Sequence, residues 1–362
     1  MNFMYNYARF PQNAHLLTAV NAAASSLFDK LISLNISALD ISDYNKQYLA
    51  KYQRKLRTNL QRLSYVLSWA LAAGNKKWSD MALVDYGGGS GLLSLLAKEC
   101  RLGTVIYSDI YDVSCRDAEI IAQNLDAKAD HYVCGDIEEV SAFLKANALG
   151  CDVFVSCDVI EHVYNLEDFF EALHGLADGR FSLALTTHAN PLNPVISRIL
   201  MRKQREAELQ DRENKAGHKQ RDSLKSYLRI RTEMIQNHSN GALGPEEIEQ
   251  LAGATRGLIE ADLKRAVDDY LRTKRLPALL RHPTNTCDPY TGNWADRLTD
   301  SHELKRLLAN AGFKVEILSC YYGRPKNFAK KILANFLDMA IVAFGKQGLR
   351  LAPYFLICGQ KV

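Results

Sequence analysis

The sequence predicts an α/β protein: a doubly wound, mostly parallel seven-stranded sheet with an antiparallel last strand, an N-terminal helical cap and a helical insertion. Three observations predict it. Residues 1–80 show apolar positions at helical spacing only; from residue 81 short apolar runs alternate with amphipathic stretches, the signature of βα units; and that alternation stops for about a hundred residues before it resumes near residue 299. At 362 residues, 47% hydrophobic and 24% charged, the chain can bury a sizeable core and exceeds a usual domain of roughly 100–200 residues. The expected division is a cap over 1–80, a core over 81–194 and 299–362, and a lid or substrate-binding insertion over 195–298.

Helices are expected over 14–34 and 44–73, the second on the apolar row Tyr44, Tyr48, Tyr52, Leu56, Leu60, Leu63 and Leu67, with Asp43 at its N-cap. Lys46, Lys51, Arg54, Lys55, Arg57 and Arg62 give it a basic side, read as a solvated face. Strands follow at 83–86, 105–108, 131–134, 153–156 and 181–186, separated by helices at 92–100, 114–125, 138–147 and 166–177. In such a sheet ligands bind beyond the carboxyl ends of the strands. After the insertion come a helix at 301–311, a strand at 314–319 and a last strand at 354–358. Within the insertion, 202–233 holds ten Lys/Arg against six Asp/Glu, and 245–274 is amphipathic. A charged helical pair of this kind suits either a lid or a dimerisation arm.

The formal charge of +4 is too small to argue by itself for a nucleic-acid or membrane partner. Eight scattered cysteines without a C-x-x-C pair read as reduced thiols, and no stretch reaches the ~18 apolar residues of a span. The N-terminal residues lack the pattern of a signal peptide. A cytoplasmic protein is expected.

The segment Asp85-Tyr86-Gly87-Gly88-Gly89-Ser90-Gly91 sets a glycine-dense turn between a strand and a helix, where the backbone turns tightly and a ligand approaches the main chain. A dinucleotide G-x-G-x-x-G fails in both registers, because Leu92 and Ser94 stand where its third glycine belongs. The segment resembles the first motif of class I S-adenosylmethionine-dependent methyltransferases, which have a Rossmann-like sheet. Residues 80–190 carry the resemblance, with a weaker echo over 300–362. It implies S-adenosyl-L-methionine as cofactor, with Asp85, Gly87, Gly88, Gly89 and Gly91 forming the loop under it. By the same resemblance Asp109 binds the ribose with Ile110 beside it, Asp136 the adenine amino group with Ile137 on the ring, and Cys157 lies at the fourth strand end. Ser156 to Val163 is similar to a motif of small-molecule O-methyltransferases such as the ubiquinone-biosynthesis enzymes.

Methyl transfer to a hydroxyl requires that the acceptor be positioned and its proton removed. His162 is the expected base and Glu161 the residue that orients it; His188, His282, Tyr290 and Trp294 are the expected acceptor-binding residues. Asp158, Glu161 and His162 also reproduce a pattern with which some related enzymes chelate a divalent cation, although the same acids suit a helix start and the latter reading is favoured. The acceptor expected is a small molecule, a glycan or a lipid-linked intermediate. A small-RNA 2′-O-methyltransferase and a non-catalytic cofactor-binding scaffold are the alternatives. A basic start at Lys326, Lys330 and Lys331 followed by an oily helix from Phe328 to Phe344 suits peripheral membrane contact, a dimer interface or a core helix.

Overall fold

A computed structural model describes every residue except 7, 75, 178, 213–222 and 324–326. Within it the chain forms two compact units. One comprises 1–160, 166–193 and 300–362; the other comprises 161–165 and 194–299.

In the first unit, α1 (Ala14–Ser33) starts under Asn13, whose side chain accepts the Leu16 amide at 3.1 Å. The long second helix expected from the sequence is two: α2 (Asp43–Arg54) and α3 (Leu56–Ala72), parted at Lys55. Ser42, not Asp43, caps α2, because the serine is the extended residue whose oxygen reaches the Asn45 amide; Asp43 sits in the first turn, where its charge still favours the helix dipole. The buried Asp117 carboxylate accepts from the Ser42 amide and from Asn45 Nδ2, both at 2.9 Å, and so fastens the start of α2 to α5 (Asp112–Asn124).

The sheet comprises β1 (Ala82–Tyr86), β2 (Thr104–Asp109), β3 (His131–Cys134), β4 (Val153–Cys157), β5 (Ser182–Thr187), β6 (Phe313–Ser319) and β7 (Phe355–Lys361). Their spatial order is β3-β2-β1-β4-β5-β7-β6, with β7 antiparallel to both neighbours. The doubly wound, Rossmann-like sheet with an antiparallel last strand is therefore as expected. Central strands such as β4 and β5 are buried on both faces, as a helix-covered parallel sheet requires, whereas β6 at the edge alternates buried and exposed. Between strands run α4 (Leu92–Glu99), α6 (Ile137–Ala146), α7 (Leu166–His174) and α12 (Ser301–Asn310), and α13 (Phe328–Ala343) precedes β7. Leu60, Val66 and Leu67 of α3 join Val155 and Ala184 of the sheet in one apolar core, which fixes the N-terminal helices against β4 and β5.

The second unit consists of α8 (Pro194–Leu209), α9 (Tyr227–Ser239), α10 (Pro245–Ala254) and α11 (Glu260–Thr273), followed by a loop over 274–299. It has its own core, with Ile230, Ile235, Leu251, Leu263 and Val267 at its centre. Arg231 is wholly buried there; Glu208 takes its guanidinium at 2.5 and 3.2 Å, and the Ala252 carbonyl accepts Nε at 3.0 Å. Part of the basic stretch expected over 202–233 lies outside the described residues.

Candidate active site

The loop after β1 is built so that the backbone does the work. Gly87, Gly89 and Gly91 all take positive φ, at 70°, 56° and 76°, a region that L side chains resist. At Gly87 a Cβ would also lie 2.4 Å from Val159 Cγ2, so the loop and the turn after β4 pack on each other only because the residue is glycine. The amides of Gly87 and Gly88 both donate to the Ser108 carbonyl, and Tyr107 Oη donates to the Gly89 carbonyl at 2.6 Å. Asp85 lies beneath this loop, accepting from the Ser94 amide at 3.0 Å and the Ser94 hydroxyl at 2.7 Å, and so joins the end of β1 to α4.

Burial pushes the Asp85 carboxyl up to about 6, against the opposing pull of its two Ser94 hydrogen bonds; the Asp109 charge pushes it further the same way. A folded value above the ordinary carboxyl value of about 3.9 means that the folded chain holds the extra proton between the two. Stability contributed by this group is thus full below about pH 4 and is lost as pH rises to about 6, by at most about 1.4 kcal/mol per pH unit. Asp85→Asn should remove that slope from the pH dependence of urea unfolding, and an unchanged slope would contradict the assignment.

At the end of β2, Asp109 is 5% exposed; one carboxylate oxygen accepts from the Gly89 amide and the other from the Tyr111 amide, each at 3.0 Å. Each oxygen has a second lone pair with which a ribose diol can be held. Ile110 beside it is exposed. Asp136 is exposed and caps α6, accepting the Glu138 amide at 2.8 Å while Glu139 returns to its own amide at 2.9 Å; Ile137 is buried in the first turn. Cys157 ends β4 as a protonated thiol, pushed up to about 12 by burial although Arg62 pulls the other way.

Beyond β4 and β5 stands a charged cluster. Asp158 has φ +57°, unusual for a residue with a side chain, and its amide donates to the Thr186 carbonyl at 2.9 Å. Arg62 from α3 grips it with both ends of the fork, Nη1 to Oδ2 at 2.7 Å and Nη2 to Oδ1 at 2.5 Å, and also donates to Thr186 Oγ1 at 3.0 Å. The guanidinium carbon lies 4.3 Å from the centre of the Tyr354 ring. His188, just past β5, places Nδ1 3.7 Å from Asp158 Oδ1. Burial alone would raise the Asp158 carboxyl; Arg62 chiefly, with His188, overcomes that and holds it well below the usual carboxylate range. The turn carrying His188 is fixed by Asn190, whose amide side chain donates to the Leu349 and Ala352 carbonyls at 2.8 Å.

Residues 84–181 match the family model of a methyltransferase domain, over the glycine loop and the strand ends just described. These residues form a methyltransferase domain. No curated protein matches the chain. Among solved structures the chain is similar to an S-adenosylmethionine-dependent methyltransferase from Mesorhizobium loti, at 15% identity and a TM-score of 0.38, over 79% of this chain and 93% of that one. It is similar also to magnesium protoporphyrin IX methyltransferase from Synechocystis PCC 6803, at 25% identity and a TM-score of 0.31, over 41% and 64%. A third likeness, to the YcgJ protein of Bacillus subtilis, has 15% identity and a TM-score of 0.32, and covers 40% of this chain and 58% of that one.

The loop fits S-adenosylmethionine, the cofactor that the sequence resemblance implies. A Cβ built on Gly89 would meet nothing within 4 Å, so the loop leaves room above a backbone whose amide and carbonyl are already held by Asp109 and Tyr107.

In the second unit, His162 Nδ1 lies 2.8 Å from the Trp294 carbonyl and Nε2 lies 3.8 Å from Asp296 Oδ1. The Glu161 carbonyl accepts the Arg297 amide at 2.9 Å, and its side chain is buried. Trp294 is buried too, stacked on Tyr164 at 6.3 Å, with its indole nitrogen donating to the Tyr164 carbonyl at 3.0 Å. His282 turns Nδ1 inward to accept the Thr284 and Asn285 amides at 3.3 and 3.1 Å; burial lowers its pKa, with Arg256 and Arg297 adding to the effect. Tyr290 is exposed. Of the three residues weighed as cation ligands, Asp158 already has an Arg62 nitrogen on each carboxylate oxygen, so a cation there would meet the guanidinium's positive charge.

Arg62 is the functional residue that sequence reasoning missed. Read as part of a solvated basic face, its side chain is only 26% exposed and reaches Asp158 across 96 positions of sequence. Its local signal is its place one turn before Tyr65 and Val66 of α3, both of them buried.

Proposed function

We propose that the chain is a class I S-adenosylmethionine-dependent methyltransferase that methylates an oxygen atom of a small-molecule, glycan or lipid-linked acceptor, with His188 as the base. The observation that carries the reading is His188 set against Asp158, a carboxylate that Arg62 keeps ionised at the carboxyl ends of β4 and β5. With its Nδ1 proton facing Asp158, the imidazole presents the Nε2 lone pair to an acceptor hydroxyl, and the carboxylate compensates the imidazolium that forms. Bound S-adenosylmethionine supplies an electrophilic methyl group on a sulfonium. With the cofactor held over the glycine loop and Asp109, His188 Nε2 would take the acceptor's hydroxyl proton as the oxygen is methylated and pass it to solvent.

A second reading gives the proton to His162, with Glu161 orienting it. What favours it is the Trp294 carbonyl, which selects the tautomer protonated on Nδ1 and leaves Nε2 as the basic nitrogen. The experiment is transfer of an isotope-labelled methyl group from S-adenosylmethionine to fractions of a cell extract, followed by mass spectrometry of the labelled product. A methyl ether or ester is expected; a label on nitrogen, carbon or sulfur overturns the proposal.

A further inference from the structure

We propose that α13 is a membrane-docking face that lies on a bilayer carrying anionic headgroups. The helix turns its buried residues, Ala334, Asp338 and Ile341, to one side. At 100° per residue, Phe328, Ile332, Phe336 and Met339 fall on the opposite arc, with Val342 at its flank. These side chains are 76%, 55%, 63%, 48% and 58% exposed. The pattern inverts that of an ordinary surface helix, whose apolar stripe faces the core. It also excludes the core-helix reading of this segment. The inversion is anchored from inside: the Asp338 carboxylate accepts from Tyr5 Oη and from the Tyr322 amide, each at 2.8 Å, so the one acid of the segment is spent on holding the helix in place.

Charge selects the occupant. Over 327–350 the exposed ionisable side chains are Lys330, Lys331, Lys346 and Arg350, all cationic, while Asp338 is wholly buried. A second copy docking by the same face would bring these cations together about a two-fold axis, at a cost in repulsion. An anionic bilayer supplies both an apolar layer for the aromatic and aliphatic side chains and a counter-charge for the basic ones. Spanning is ruled out for this helix, because its 16 residues fall short of the roughly 20 a span needs, and no described helix is long and apolar enough to cross a membrane. The helix would therefore lie in the plane of the interface. Lys326 lies outside the described residues and takes no part in the argument.

The test is flotation of the full chain with vesicles of phosphatidylcholine mixed with phosphatidylserine, and with vesicles of phosphatidylcholine alone. The protein should float with the anionic vesicles and bind the neutral ones about tenfold more weakly or worse, and added salt should narrow the difference. The triple variant Ile332→Ser, Phe336→Ser, Met339→Ser should lose binding to both while its melting temperature and its S-adenosylmethionine affinity stay unchanged, since all three side chains are exposed. Lys330→Glu with Lys331→Glu should abolish the anionic preference. A chain that remains at the bottom of the gradient with both vesicles overturns the proposal. So does a concentration-dependent dimer in sedimentation that the triple variant abolishes, which would assign the face to a second copy.

Discussion

Replacing His188 with alanine is expected to lower methyl transfer by about 10²–10⁴-fold while leaving S-adenosylmethionine binding intact. The size follows from what is removed, a proton acceptor positioned in advance by Asp158, with nothing taken from the glycine loop or from Asp109. Asp158→Asn should also slow transfer, through loss of the charge that compensates the imidazolium, and its cofactor affinity should likewise hold. Single-turnover rates and calorimetric titration separate the two effects. The informative comparison is His162→Ala, whose ring is held within the second unit by the Trp294 carbonyl. If His162→Ala loses the rate and His188→Ala keeps it, the proton goes to His162 and the second reading stands; if both retain wild-type rates, neither imidazole is the base. Transfer should be indifferent to a chelator in either case, because Arg62 already balances the Asp158 charge.

The sheet was legible because its signals are local and repeated. Each central strand is a short apolar run, each is followed by an amphipathic helix, and the strand ends carry Gly87 to Gly91, Asp109, Asp136 and Asp158 in sequence order. The break between α2 and α3 was not legible, since Leu49, Leu56 and Leu60 keep a helical rhythm across Lys55 and no proline or glycine marks the interruption. The Arg62 grip on Asp158 was hidden for a different reason. Hydrophobic periodicity reports which row of a helix is apolar, and a basic residue off that row has the same local pattern whether it snorkels to water or meets a distant carboxylate. The aromatic loop shows a third limit. Composition marks Trp294 and Tyr290 alike, but one is packed on Tyr164 with its indole nitrogen bonded and the other stands in solvent.

Arg62→Met should be the most disruptive single change to the first unit that leaves the cofactor loop untouched. It removes a bidentate partner from a carboxylate that is only 28% exposed. Breaking a fully buried pair costs about 3–5 kcal/mol, and partial solvation of this one reduces the expected loss to about 2 kcal/mol at neutral pH. The pH dependence identifies the cause. In the wild type the Asp158 carboxyl is depressed in the folded state, so its contribution is present above the unfolded value of about 3.9 and is lost as pH falls below that. In the variant, burial acts unopposed by the guanidinium and the folded carboxyl moves upward, so the ionised form destabilises the fold until acid neutralises it. The stability gap between the two proteins should therefore be widest near pH 7 and close as pH falls toward about 4. Adding Asp158→Asn to Arg62→Met should recover part of the loss, since it removes the uncompensated charge. A gap that is constant with pH, or a double variant less stable than Arg62→Met alone, would show that Arg62 acts through its packing on Tyr354 and not through Asp158.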